Sequence, residues 1–283
     1  MRRGIACICL SAFGFSLMAM FVRMTDGLGE PLPAIQKAFF RNLVALAIAL
    51  PTFLRVRRGG AALREGGMSA GDWALLFLRA TLGTLGVFSN FYAISYISIG
   101  DAMALNKTAP FFTLLACWAI FGERIRPRQA MCVAGAFLGA MLVVKPSFSD
   151  VSRASAVGLA SGGFAGFAYA LLHGLGRRGV NGSFVILFFS AFSCLACVPF
   201  ILSGYCAMTP AQLFALCGAG AGAAIGQYGI TWAYRFAEPR QIAVYDYSGI
   251  LFSAVLGFMA FGQVPDALSC VGFAVIVAMA ALL

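Results

Sequence analysis

Long apolar stretches alternate with short polar ones along almost the whole chain. Ten stretches approach the length of about 20 apolar residues that a helix needs to cross a bilayer. They run near 4–22, 34–54, 73–94, 101–121, 129–144, 156–175, 184–202, 212–234, 241–262 and 266–283. A transmembrane barrel would instead show alternating strands of about ten residues. Little chain lies between the stretches, so no soluble domain, low-complexity tract or long linker is expected. The first stretch follows Arg2 and Arg3 and has the outline of a signal peptide. Its length, the absence of a clear small-x-small cleavage site and its counterpart later in the chain favour a retained span.

Composition sharpens this picture. Of 283 residues, 61% are hydrophobic and only 11% charged, with a mean hydropathy of +0.90. A soluble domain carries about 25% charged residues. This chain cannot cover a water-facing surface, and the expected class is an all-α membrane protein. The net charge of +10 could suit nucleic acid. The basic residues, however, sit in short loops and form no continuous face, so no nucleic-acid partner is expected. With the N-terminus in the cytoplasm, thirteen of the twenty Lys and Arg fall on the inner side: Arg2, Arg3, Arg55, Arg57, Arg58, Arg64, Arg124, Arg126, Arg128, Arg177, Arg178, Arg235 and Arg240. Only Arg23, Lys37, Lys145 and Arg153 fall outside. The positive-inside rule then places both termini in the cytoplasm of a multi-pass protein of the cell (inner) membrane. The nine cysteines read as small apolar packing residues. Cys194-x-x-Cys197 has no histidine nearby, and no metal or cofactor is expected.

The chain also repeats itself. Residues 80–142 lie on 220–282 at a constant offset of 140, pairing Gly86 with Gly226, Tyr92 with Trp232, Asn106 with Asp246, Phe112 with Phe252, and Phe121-Gly122-Glu123 with Phe261-Gly262-Gln263. The first stretch lies on the sixth at an offset of 154, pairing Phe15 with Tyr169 and Arg23 with Arg177. The second lies on the seventh at 148, pairing Pro51 with Pro199. The offset changes only in loops. This predicts a first repeat over 1–145 (helices 1–5) and a second over 154–283 (helices 6–10). Five spans per repeat is an odd number, so the ten helices form two inverted five-helix repeats. Inverted repeats around a site at the midplane mark secondary transporters.

Several motifs fit one family. Gln36-Lys37-Ala38-Phe39-Phe40-Arg41-Asn42, Leu78-Arg79-Ala80 and Phe91-Tyr92-Ala93 resemble the EamA-type branch of the drug/metabolite transporter superfamily. So do Asp101-Ala102-Met103-Ala104-Leu105, Ala109-Pro110-Phe111-Phe112 and Phe121-Gly122-Glu123-Arg124. The resemblance covers essentially the whole chain, and the order and spacing of the motifs carry it. It implies ten helices, two EamA units and alternating access. The family includes exporters and importers of amino acids, nucleosides, vitamins and S-adenosylmethionine. Gln263 departs from the pattern, standing where the first unit has Glu123.

Ionisable groups in a bilayer cost about 2.5–3.5 kcal/mol each on insertion scales. Five stand inside spans: Arg41, Arg79, Lys107, His173 and Asp246. Asp246 either binds a substrate amine, a coupling proton or Lys107 as part of the path, or forms a structural ion pair. Lys107 adjoins Asn106, the repeat partner of Asp246, but is turned about 100° from it around a helix. Arg79 either snorkels to its interface or lines the path. Arg41 either pairs with Asp26 or Glu30 in the adjoining loop or takes a gating or substrate role. His173 reads as an interfacial histidine, with a proton relay as the alternative. Three cations against one acid favour an anionic or zwitterionic substrate. Tyr92 and Trp232, Phe15 and Tyr169, and Tyr245 are aromatics that could wall a flat solute or face lipid. Gln227 and Asn90 could hydrogen-bond it. Gly158, Gly162, Gly166, Ala170 and Gly174, and Gly218, Gly222 and Gly226, recur every fourth residue as packing ridges. Pro110 and Gly249 could each bend a helix beside the site.

The expected function is therefore secondary transport of a small-molecule substrate through a central cavity, with membrane lipids as surroundings and a coupling proton as a candidate. No Gly-rich phosphate loop points to ATP as the direct energy source. A membrane-embedded enzyme would need clustered His, Asp or Glu, so no enzyme is expected. A lipid flippase or such an enzyme stays as the alternative. Monomer and homodimer are both open.

Overall fold

The computed structural model describes residues 1–60, 62–97, 99–146 and 153–283. It is helical throughout: α1 Arg2–Met24, α2 Ala34–Arg58, α3 Ala70–Tyr96, α4 Ile99–Asn106, α5 Ala109–Phe121, α6 Pro127–Val144, α7 Arg153–Arg177, α8 Gly182–Ser203, α9 Pro210–Phe236, α10 Pro239–Ile242, α11 Ser248–Phe261 and α12 Ala267–Leu282. Among the described residues, nine segments are long and apolar enough to cross a membrane, and α12 is a shorter apolar helix. These are the ten stretches of the hydropathy pattern.

Two of the ten are interrupted, which the apolar pattern alone conceals. The fourth span is α4 and α5 with Lys107 and Thr108 between them. Pro110 stands in the first turn of α5, where its missing N–H is not needed. Its ring would collide with the carbonyl of Asn106 in a continuous helix, so the break falls just ahead of the proline. The ninth span is α10, a 3-10 segment Ala243–Tyr247, and α11. The two interruptions occupy equivalent places in the repeat alignment. Sequence predicted bends at Pro110 and Gly249; the finding is a break ending just before each residue.

Helix ends repeat as well. Ser69 and Asp72 form a capping box on α3, and Thr209 and Gln212 form one on α9, 140 residues later. Gly122 and Gly262 end α5 and α11 with the same backbone angles, φ 65° and ψ 21°. Glycine alone takes this left-handed cap without strain.

The packing crosses between the halves. The two most extensive helix contacts are α1 with α9 and α3 with α7, which the alignment exchanges. Likewise α1 packs on α11 and α7 on α5, while α2 meets α8 and α6 meets α12. The glycine ridges make this possible. A Cβ on Gly222 would lie 2.7 Å from the Met18 nitrogen, and one on Gly162 would lie 2.3 Å from Thr108 Oγ1. Hydrogen bonds follow the same seams: Ser11 Oγ donates to the Gly226 carbonyl at 2.8 Å, Ser16 Oγ to Gly249 at 2.8 Å, and Thr113 Oγ1 to Gly166 at 3.2 Å.

Candidate functional site

The broken spans bring polar groups into the seam between the halves. In lipid, irregular backbone is tolerated only where protein or a wet cavity satisfies it. At the first break, Tyr247 donates its hydroxyl to the Lys107 carbonyl at 3.0 Å. Lys107 Nζ stands 3.6 Å from Asp246 Oδ2, with both side chains about one-fifth exposed. Asn106 turns the other way, as its angular separation from Lys107 requires, and donates to Ser161 Oγ on α7 at 3.2 Å. Tyr245 packs, half-buried, against two apolar clusters, one of which contains Tyr247.

Two arginines enter the same seam from α2 and α3. Arg79 is 2% exposed. Its Nη2 donates to Gln227 Oε1 on α9 at 3.0 Å, and its guanidinium lies over the Phe189 ring at 3.9 Å. Its Nε and Nη1 have no hydrogen-bond partner. Arg41 is 6% exposed. It donates to Asn42 Oδ1 at 3.0 Å and to Met18 Sδ at 3.2 Å, and its Nε is unpartnered. Tyr169 on α7 has Arg41, Arg79 and Asp246 among its charged neighbours. It also packs on Tyr234, with ring centroids 5.9 Å apart. Asn90 Oδ1 is buried without a partner on α3.

Three sequence expectations need correction. Arg41 does not pair with Asp26 or Glu30. Lys37, one turn nearer the helix start, takes Asp26, while the Glu30 backbone carbonyl accepts from Gln212 at 2.8 Å. Arg79 does not snorkel; Gln227 and Phe189 hold it inside the bundle. Tyr92 and Trp232 do not form facing walls of the central site. They are 44% and 46% exposed, Tyr92 against Tyr96 and Trp232 edge-on to Tyr228. The alignment relates their positions along a helix, but the apolar surroundings leave an aromatic ring equally content facing lipid.

Two cavities lie at opposite ends of α7. One, of about 730 Å³, is lined by Gln36, Phe88, Tyr92, Val157 and Phe200 among others. The other, of about 430 Å³, is lined by Phe121, Glu123, His173, Arg177, Tyr234 and Glu238 among others. Neither lining includes Arg41, Arg79, Lys107 or Asp246, but Tyr234, which lines the smaller cavity, packs on Tyr169. Sequence reasoning missed Phe189 and Met18 as partners of the arginines, because an apolar residue in an apolar span carries no signal. It also missed the joining of His173 to Glu123, although the alignment already paired Arg177 with Arg23 and Glu123 with Gln263.

A polytopic helical bundle with broken spans and charges held in an internal seam is the build of a small-molecule membrane transporter. The model of the EamA-like transporter family matches residues 2–145, and the chain belongs to that family. The pseudopaline exporter CntI of Pseudomonas aeruginosa is 31% identical over 281 residues, covering 98% of this chain and 94% of the exporter. A riboflavin transporter of Rhizobium johnstonii is 27% identical, covering 94% and 86%. Human solute carrier family 35 member G1 is 24% identical, covering 90% and 72%. A solved crystal structure superposes with a TM-score of 0.77 at 18% identity, covering 96% of this chain and 95% of that one, which bears on the fold.

Proposed function

We propose that this protein is a secondary active transporter for a small carboxylate-bearing metabolite, zwitterionic or anionic. It works by alternating access between two inverted halves, residues 1–145 and 154–283, in the cell inner membrane with both termini cytoplasmic. The observation that carries this reading is the pair of buried arginines with unpaired donors. A buried donor without a partner costs about 1–3 kcal/mol. Arg79 has two such atoms and Arg41 one, and a carboxylate would satisfy them. Asp246 reads the amine of a zwitterion, exchanging it for Lys107. Asn106, Tyr169, Tyr245, Gln227 and Asn90 complete the polar surroundings, and Tyr92 belongs to the mouth of the larger cavity. The relatives are named as an exporter and transporters, which suits a solute carrier.

A thermal-shift screen of the purified protein tests this, using amino acids, nucleosides, vitamins and polyamines. Ligands that bind the folded state raise its melting temperature. Carboxylate-bearing solutes stabilise the wild type, and Arg79→Gln loses the response, as does the milder Arg41→Lys in part. Stabilisation by polyamines alone, unchanged in Arg79→Gln, overturns the assignment.

A further inference from the structure

His173 sits buried near the end of α7, between the ends of α5 and α9. Its Nδ1 lies 3.0 Å from the Tyr234 carbonyl and its Nε2 lies 2.9 Å from Glu123 Oε1. A carbonyl oxygen only accepts, so Nδ1 carries a hydrogen. A neutral imidazole would then present a bare Nε2, and a carboxylate is also an acceptor only. Two acceptors do not rest 2.9 Å apart in a buried site. One further proton must lie between them. Arg177 Nη1 approaches the same Oε1 at 3.3 Å and favours the carboxylate form, so the proton resides on Nε2. We infer that His173 and Glu123 form a one-proton site that latches this end of the transporter shut.

The surroundings support a site and not an incidental contact. The pair borders the 430 Å³ cavity, which gives the proton a route to that face. Glu123 Oε2 is buried without a partner, so the carboxylate is held by Oε1 alone. The other titratable and charged groups around it are Cys117 on α5, Arg177 on α7, Tyr234 and Arg235 on α9, and Glu238 beyond α9. Glu238 is already engaged by Arg240 at 2.6 Å. Among these groups, only the His173–Glu123 contact depends on a shared proton. Removing it sets acceptor against acceptor and parts α5 from α7 and α9.

The opposite end holds the aligned counterpart without the proton. Arg23 lies over the Phe261 ring at 5.0 Å, as Arg177 stands beside Phe121 and Glu123. The Gln263 amide oxygen, in the orientation that satisfies its neighbours, accepts from both terminal nitrogens of Arg23 at 2.8 and 2.9 Å. No histidine stands there: the position aligned with His173 is Ala19. One latch therefore responds to protons and the other does not. The gating consequence rests on the alternating-access reading, whereas the bound proton does not.

His173 is the only histidine in the chain, so labelling with ¹⁵N-histidine reports on this ring alone. The full-length protein in nanodiscs is compared with Glu123→Gln from pH 5 to 9. Gln is tolerated at the aligned position 263, and its amide can donate to a bare Nε2. The wild type shows both ring nitrogens protonated under conditions where Glu123→Gln shows a neutral ring with hydrogen on Nδ1. Identical ring spectra across the range overturn the one-proton site. In proteoliposomes, carboxylate uptake varies with pH on this face for the wild type and loses that dependence in Glu123→Gln. A pH profile unchanged by the substitution overturns the latch. If no carboxylate is moved by either protein, the transport reading fails while the ring spectra still decide the proton.

Discussion

Lys107 and Asp246 face each other 3.6 Å apart where the two broken spans meet, each contributed by a different half of the chain. Neither residue lies in a regular α-helix, so each is held by the interruption that exposes it. Removing one partner leaves a half-buried charge uncompensated, whereas removing both leaves none. Lys107→Met and Asp246→Asn each lower stability, and the double variant recovers part of the loss. The coupling read from thermal melts should fall within about 0.5–3 kcal/mol. Strictly additive effects would separate the two residues.

Arg79 makes one hydrogen bond and one ring contact but leaves two donors open. A charge-assisted hydrogen bond contributes about 1.5–3 kcal/mol. Arg79→Gln should therefore weaken carboxylate binding about tenfold or more, measured by titration calorimetry. Phe189→Leu, which removes only the ring beneath the guanidinium, should weaken it less.

Gly162 has no room for a side chain. A Cβ there would meet Thr108 Oγ1 at 2.3 Å and the Leu105 carbonyl at 2.7 Å, beside the first break. Overpacking costs about 1–3 kcal/mol. Gly162→Ala should lower the melting temperature, and Gly163→Ala, whose Cβ would find only the Phe112 ring at 3.9 Å, should not.

Asp266 caps α12 and pairs with Lys145 at the end of α6. The Lys145 ammonium, followed by the Ser269 backbone N–H, holds its carboxyl well below the ordinary value of 3.8. A depressed carboxylate contributes stability above its unfolded value and loses it as pH falls through the folded one. The wild type should be more stable than Asp266→Asn at neutral pH, and the difference should shrink below about pH 4. A constant difference down to pH 2 would remove the carboxylate from the account.

The span pattern was legible because a bilayer admits few alternatives to apolar helices. The meeting of the fourth and ninth spans, seen where Lys107 reaches Asp246, was legible from the offset, since it is a matter of position along the chain. Rotation about the helix axis was not. Arg41 and Arg79 could have turned to an interface, and Trp232 could have turned inward, because α2, α3 and α9 are apolar on most sides. What fixes them is close packing: Phe189 under Arg79, Met18 beside Arg41, and the glycine ridge that brings α9 against α1. None of these partners is a polar residue in a conspicuous place.

The exchange of α1 onto α9 and of α7 onto α3 has a consequence for how the chain is made. Each half lends its first helix to the other, and contacts within a half are slight by comparison. A polypeptide released after residue 146 would hold α1 without α9 and α11, its main packing partners, so the bundle should knit only once those helices have been made. The same interlock leads us to expect that residues 1–146 and 153–283, co-produced as two fragments, reassemble, while either alone lacks most of its packing partners.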